Sequence, residues 1–134
     1  MINLNNEMAQ IAPVLKKIAK NSNETYENAW DMICDWEEKK DYRAFVKDKA
    51  RSLDAASLFE RIEALEQMTD FRFSTSDFYG NSVEERIESF TEYFYAALLN
   101  SVLEKSKIFD KGKASEKSAL AECEKLIDKK IKSR

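Results

Sequence analysis

The chain has no histidine among its 134 residues, so any proton transfer or metal binding would fall to its carboxylates. The missing imidazole excludes Ser-His and Cys-His nucleophile pairs, HExxH zinc sites and His-ligated haem. The acids instead form lines. From position 24 onward Glu24, Glu27, Asp31, Asp35 and Glu38 fall within about 80° of arc at about 100° per residue, beside an apolar face. Glu84, Glu88 and Glu92 make a second line, and Glu60, Glu63, Glu66 and Asp70 a looser third. Like charges four residues apart destabilise a helix by some tenths of a kcal/mol, and few bases are interleaved to offset this. A solvated helix face is the plain use of such a line, and a surface complementary to a basic protein is the functional one.

Glu84-Glu85-Arg86-Ile87-Glu88 is similar to the EExxE that opens the magnesium site of the all-α nucleoside triphosphate pyrophosphatases, where helical spacing converges carboxylates on a hard cation. That resemblance implies a carboxylate-magnesium hydrolase of nucleotides. The chain departs from the family at its second element, an ExxD on a later helix: Glu104 is followed at +3 by Lys107, and Glu124 meets Asp128 only at +4. Glu85 also has a structural use as capping partner of Ser82. Asp31 and Asp35 are spaced to share a cation, but no second pair in the sequence joins them. No metal or cofactor is therefore expected.

Residues 70 to 81 lose the helical period and carry Phe71, Phe73, Phe78 and Tyr79 among small hydroxyl residues and a Gly-Asn turn. Rings in such a loop either fold back to pin it on the core or stand out as interface anchors; of the four, Phe78 and Tyr79 are the candidates for contact with a partner.

These residues need a helical scaffold to hold them. Two Gly and one Pro leave little material for a β-sandwich or a phosphate-binding loop, and the apolar residues recur at helical spacing. Leu4, Met8, Ile11, Leu15 and Ile18 mark a first helix, kinked or split at Pro13. A second, from Glu24 to about Glu38 and capped by Ser22 or Asn23, gathers Tyr26, Ala29, Trp30, Ile33 and Trp36 on one arc, with both tryptophans read as core. Asp41 is placed to cap a third helix bearing Tyr42, Phe45, Val46 and Ala50, and Asp54 a fourth bearing Ala55, Leu58, Phe59, Ile62 and Leu65. Ser82-Val83-Glu84-Glu85 reads as a capping box opening a helix to about Lys107, whose middle, Tyr93 to Leu99, is apolar all round. After Gly112 a last helix from about Ser115 aligns Leu120, Cys123, Ile127 and Ile131. The expectation is a single all-α domain, a compact bundle of five or six helices around a long central helix at about 83–107.

Local charge is lopsided although the net value is -3. Residues 54–104 hold eleven acids and three bases, residues 39–53 six bases and two acids, and residues 105–134 ten bases and five acids. With a sequence pI near 5.2, nucleic acid is not the expected partner. No apolar run is long enough to span a bilayer, the first residues carry no basic segment before an apolar run, and Cys34 and Cys123 stand alone, read as reduced and buried; a cytoplasmic protein is expected. Nothing supplies a nucleophile with a base, so a non-enzymatic binding protein ranks first. Its general type is that of bacterial toxin-immunity proteins and antitoxins, which neutralise a basic, nuclease-like toxin. The carboxylates Glu24, Glu27, Asp31, Asp35, Glu84, Glu88 and Glu92 would steer and pair with the toxin, and Phe78 and Tyr79 would anchor it. A magnesium nucleotide pyrophosphatase and a helical adaptor or oligomerisation domain are the alternatives.

Overall fold

The computed structural model describes residues 4–68, 72 and 80–132, and six helices lie among them. The first, α1 (Leu4–Ala19), runs unsplit through Pro13. Pro13 is exposed, and so is Ala9, whose carbonyl loses its helical donor to the proline; on a solvent-facing side of the helix that loss costs less than it would in the interior. The loop ring residues Phe71, Phe73, Phe78 and Tyr79 lie outside the described residues.

The second helix begins later than its periodicity suggests. Thr25–Tyr26 forms a short strand, β1, paired antiparallel with β2 (Ala114–Ser115) in the register Thr25 opposite Ser115 and Tyr26 opposite Ala114. Thr and Tyr suit extended backbone, and that pairing takes them out of the helix. α2 therefore spans Ala29–Glu38, and its cap is Asn28, whose side chain accepts the Asp31 amide at 2.9 Å. Ser22 instead closes a local turn by accepting the Glu24 amide at 3.2 Å.

Helix α3 (Lys40–Ser52) has Lys39 at its N-cap with no side-chain cap bond. Asp41, expected as the cap, lies inside the first turn, where its charge still complements the helix dipole and pairs with Lys17 at 3.3 Å. Asp54 does cap α4 (Ala55–Met68), accepting the Ser57 amide at 2.8 Å. The capping box of α5 (Val83–Ser106) is formed: Ser82 Oγ accepts the Glu85 amide at 3.1 Å and Glu85 Oε2 accepts the Asn81 amide at 2.6 Å. Gly80 immediately before it has φ +143°, and a Cβ there would stand 2.7 Å from that of Glu85, so only glycine fits. Lys107, in the left-handed region, ends α5, and α6 (Glu116–Lys132) follows β2.

Helix α5 is the centre of the bundle. Every residue from Phe94 to Ser101 is buried, more than two full turns, because α2, α3, α4 and α6 all pack on it. Helix α1 closes the outside against α6 and α3. Tyr95 lies edge-on to both Phe45 and Phe94, with centroids 5.0 and 5.1 Å away. Trp36 is fully buried, whereas Trp30, expected in the core, is 38% exposed, because it sits at the edge of the α2 apolar arc. Phe59 is likewise at the edge of its arc and is exposed, while Leu65 on the same helix is fully buried. No helix among the described residues is long and apolar enough to cross a membrane.

One ion pair lies inside the bundle. Glu7 of α1 and Arg61 of α4 meet at 2.9 Å with side chains 6% and 9% exposed. The second Glu7 oxygen accepts a short hydrogen bond from the Tyr95 hydroxyl, and the Arg61 guanidinium also reaches the Ser57 carbonyl and stands 6.0 Å from the Phe94 ring centroid. Removing one partner leaves a desolvated charge. Arg61→Ala is expected to cost about 3–5 kcal/mol in urea unfolding, with Glu7→Leu in the same chain restoring much of it, because two apolar side chains leave no orphaned charge.

Candidate functional site

The structure regroups the acids that the sequence lines suggested. Glu24 and Glu27 precede α2 and are exposed, so they do not share a helical face with Asp31 and Asp35. Asp31 is occupied at the helix start, where its carboxylate accepts from the Asn28 side chain at 3.1 Å. Asp35 faces inward: it takes a short hydrogen bond from the Tyr26 hydroxyl, which also lies 3.1 Å from Glu116. Burial first, then the bond to Asp35, raises the Tyr26 hydroxyl above its ordinary value, so it stays a donor that fastens β1 to α2 and α6.

The second acidic line is partly matched by bases. Glu84 and Glu88 share a groove with Lys47 and Arg51, because the basic helix α3 packs along α5. That juxtaposition absorbs part of the charge asymmetry between residues 39–53 and 54–104. It also places Lys47 and Arg51 of the basic helix α3 beside carboxylates.

What does converge is a cleft of about 420 Å³ between α2, α3 and α5, lined by Cys34, Glu37, Glu38, Tyr42, Arg43, Val46, Glu88 and Glu92. Four carboxyls from two helices meet one guanidinium there. Glu37 and Glu92 are close enough to hydrogen-bond to each other, which two carboxylates do only by sharing a proton. Burial, then that bond and the Glu92 charge, push the Glu37 carboxyl up to about 8. Tyr42, which lines the cleft, is fully buried, and its hydroxyl has no hydrogen-bond partner among the described residues. Desolvation and the nearby Glu37 and Glu92 charges hold it protonated.

Two members of this cleft were not singled out from sequence. Glu37 stands between Ile33 and Trp30 on the α2 wheel, about 40° from Ile33 at about 100° per residue, so a carboxylate inside an apolar arc was the available signal. Tyr42 reads as core, and its hydroxyl becomes informative only once the neighbours are placed. Cys34, expected to be buried, is exposed at the same rim; burial of its sulfur and the surrounding acids, Glu37 first, raise its thiol. Cys123 is buried and free. Among the described residues no group of three His, Cys, Asp or Glu side chains is placed to hold a metal ion. Glu85 of the EExxE segment is engaged with the Asn81 amide.

Two outcomes follow from this geometry. A carboxyl whose folded pKa is raised binds more protons folded than unfolded, so its contribution to stability falls as pH rises from the ordinary carboxylate range through about 8. The wild-type Tm is expected to decline between about pH 6 and 8.5, and Glu37→Gln to flatten that decline, as read by thermal unfolding. Tyr42→Phe removes an unpaired buried hydroxyl and keeps the ring, so urea unfolding is expected to show no loss, or a gain of up to about 1 kcal/mol. Compared with protein-family models, with curated proteins and with solved structures, the chain matches none.

Proposed function

We propose that this chain is a non-enzymatic inhibitor of a basic protein, of the immunity or antitoxin type, acting in the cytoplasm on a toxin of nuclease-like charge. The observation that carries the reading is the convergence of Glu37, Glu38, Glu88 and Glu92 on one open cleft of a rigid helical scaffold. Held on two packed helices, these carboxyls present negative charge at helical spacing, as a phosphate backbone does, less the one proton shared by Glu37 and Glu92, and steer a basic partner to the surface. Asp31 at the exposed start of α2 extends that field. Asp35 does not belong to the contact surface, because its carboxylate is bonded to Tyr26. Glu84 and Glu88 border the same face, and Phe78 and Tyr79 are retained as anchors from outside the described residues.

The test is capture of partners from the native cells at low and moderate salt, with mass spectrometry of what co-elutes. Recovery of one basic protein in equimolar amount supports inhibition; recovery of none, at either salt, overturns it. With such a partner in hand, Glu38→Lys combined with Glu88→Lys is expected to lower the association rate roughly tenfold or more and to flatten its salt dependence, with stability little changed.

A further inference from the structure

The α2–α3–α5 cleft holds a feature that general acidity does not explain. Tyr42, one of its lining residues, has a buried hydroxyl with no partner among the described residues, near two carboxyls from different helices that accommodate each other only through a shared proton. A native interior satisfies its polar groups, and one left unpaired at a cleft marks a place where a ligand completes the set. The phenol oxygen and both carboxyls are able to accept. The missing complement is a positively charged group with several N–H donors, which matches carboxylates by charge and the phenol oxygen by hydrogen bonding. Val46, also on the wall, offers an apolar surface to an alkyl stem.

We propose that this cleft is a binding site for one organic cation bearing N–H donors, an alkylammonium or guanidinium group, held between the Glu37 and Glu92 carboxyls with the Tyr42 hydroxyl as a third acceptor. Binding replaces the shared proton with the cation: the carboxyl O–H breaks and its proton passes to water or buffer, the carboxylate so formed pairs with the ligand, and no other bond changes. Every charged group facing the pair favours this exchange except Arg43. Glu38 comes from α2 and Glu88 from α5, the Cys34 thiol is uncharged, and Arg43, exposed at the α3 rim, is the one base among the lining residues. Under the inhibitor reading the cation is a lysine or arginine side chain of the partner, and the inference rests on that reading only for this source; a free amine is the other.

The experiment is isothermal titration of the intact chain with n-butylammonium and with n-butylguanidinium, using potassium at equal ionic strength as the control, in two buffers of different ionisation enthalpy. Saturable one-to-one binding is expected, with proton release. Its affinity is expected to rise by roughly tenfold per pH unit from about pH 6 to about pH 8. Glu37→Gln and Glu92→Gln are each expected to abolish it, and Tyr42→Phe to weaken it roughly fivefold or more, thermal unfolding verifying that each variant is folded. Absence of saturable binding to the folded wild type overturns the site, as does binding that is indifferent to pH or unchanged in Glu37→Gln. Competition by saturating n-butylammonium against a captured partner identifies the partner's side chain as the natural cation, and titration without such competition identifies a free amine. Because the titration needs only the pure chain, its failure removes the site and leaves the inhibitor reading standing, whereas failure to capture a partner does the reverse.

Discussion

A single buried carboxylate sets the arrangement of three helices. Glu7 cannot be desolvated as a bare charge, and the bundle meets that constraint by bringing Arg61 from α4 and the Tyr95 hydroxyl from α5 to its two oxygens. These partners lie 54 and 88 residues along the chain, so satisfying one side chain of α1 specifies how α4 and α5 sit against it. Apolar packing tolerates small rotations of one helix on another, but a charge with a directional bond at each oxygen does not. Burial and the bond to Glu7 in turn raise the Tyr95 hydroxyl, keeping it a donor. Phe45 and Phe94 then pack on the Tyr95 ring, and the α3 contact is set from the same point.

The candidate cleft is the polar counterpart of that pair. At Glu7 the buried charge has an internal cation; between Glu37 and Glu92 there is none, and the like charges are relieved by a proton. A fold that solves the same electrostatic problem by two means is informative about which place is structural and which is open to exchange. The internal cation is 9% exposed and held on several sides, while Glu37 lies in a cleft whose rim residues are exposed.

Much of the scaffold was legible because it depends on local chemistry. The boundaries of α4 and α5 follow from Asp54 and from Ser82 with Glu85, short-range bonds that need no knowledge of distant residues. The apolar middle of α5 announces a helix covered on all sides. The start of α2 was not legible in the same way, because Glu24 to Tyr26 keep helical spacing and are diverted by a strand partner some 90 residues away. The site suffered from the same limit: spacing aligned Glu24, Glu27, Asp31 and Asp35, while the cleft joins Glu37 and Glu38 to Glu88 and Glu92 across two helices. Residues 84, 88 and 92 were found by period alone; Glu37 is recognisable only as a charge in the wrong arc, and Tyr42 only by an unmet hydrogen bond.

The two-residue ribbon of β1 and β2 carries a consequence for how the chain reaches its native state. Helices α2 to α5 meet one another across shorter stretches of chain than the terminal elements do. The ribbon, the Tyr26 bond to Glu116 and the α1–α6 seam instead join the first and last thirds of the chain, so their loops close against a somewhat larger entropy. The α2–α3–α5 unit can therefore assemble before the terminal seam, and the seam then acts as the late clasp of the bundle. The two strand residues and one tyrosine are the small part of that clasp and the α1–α6 contact is the larger, so both must open before the two ends of the chain come apart.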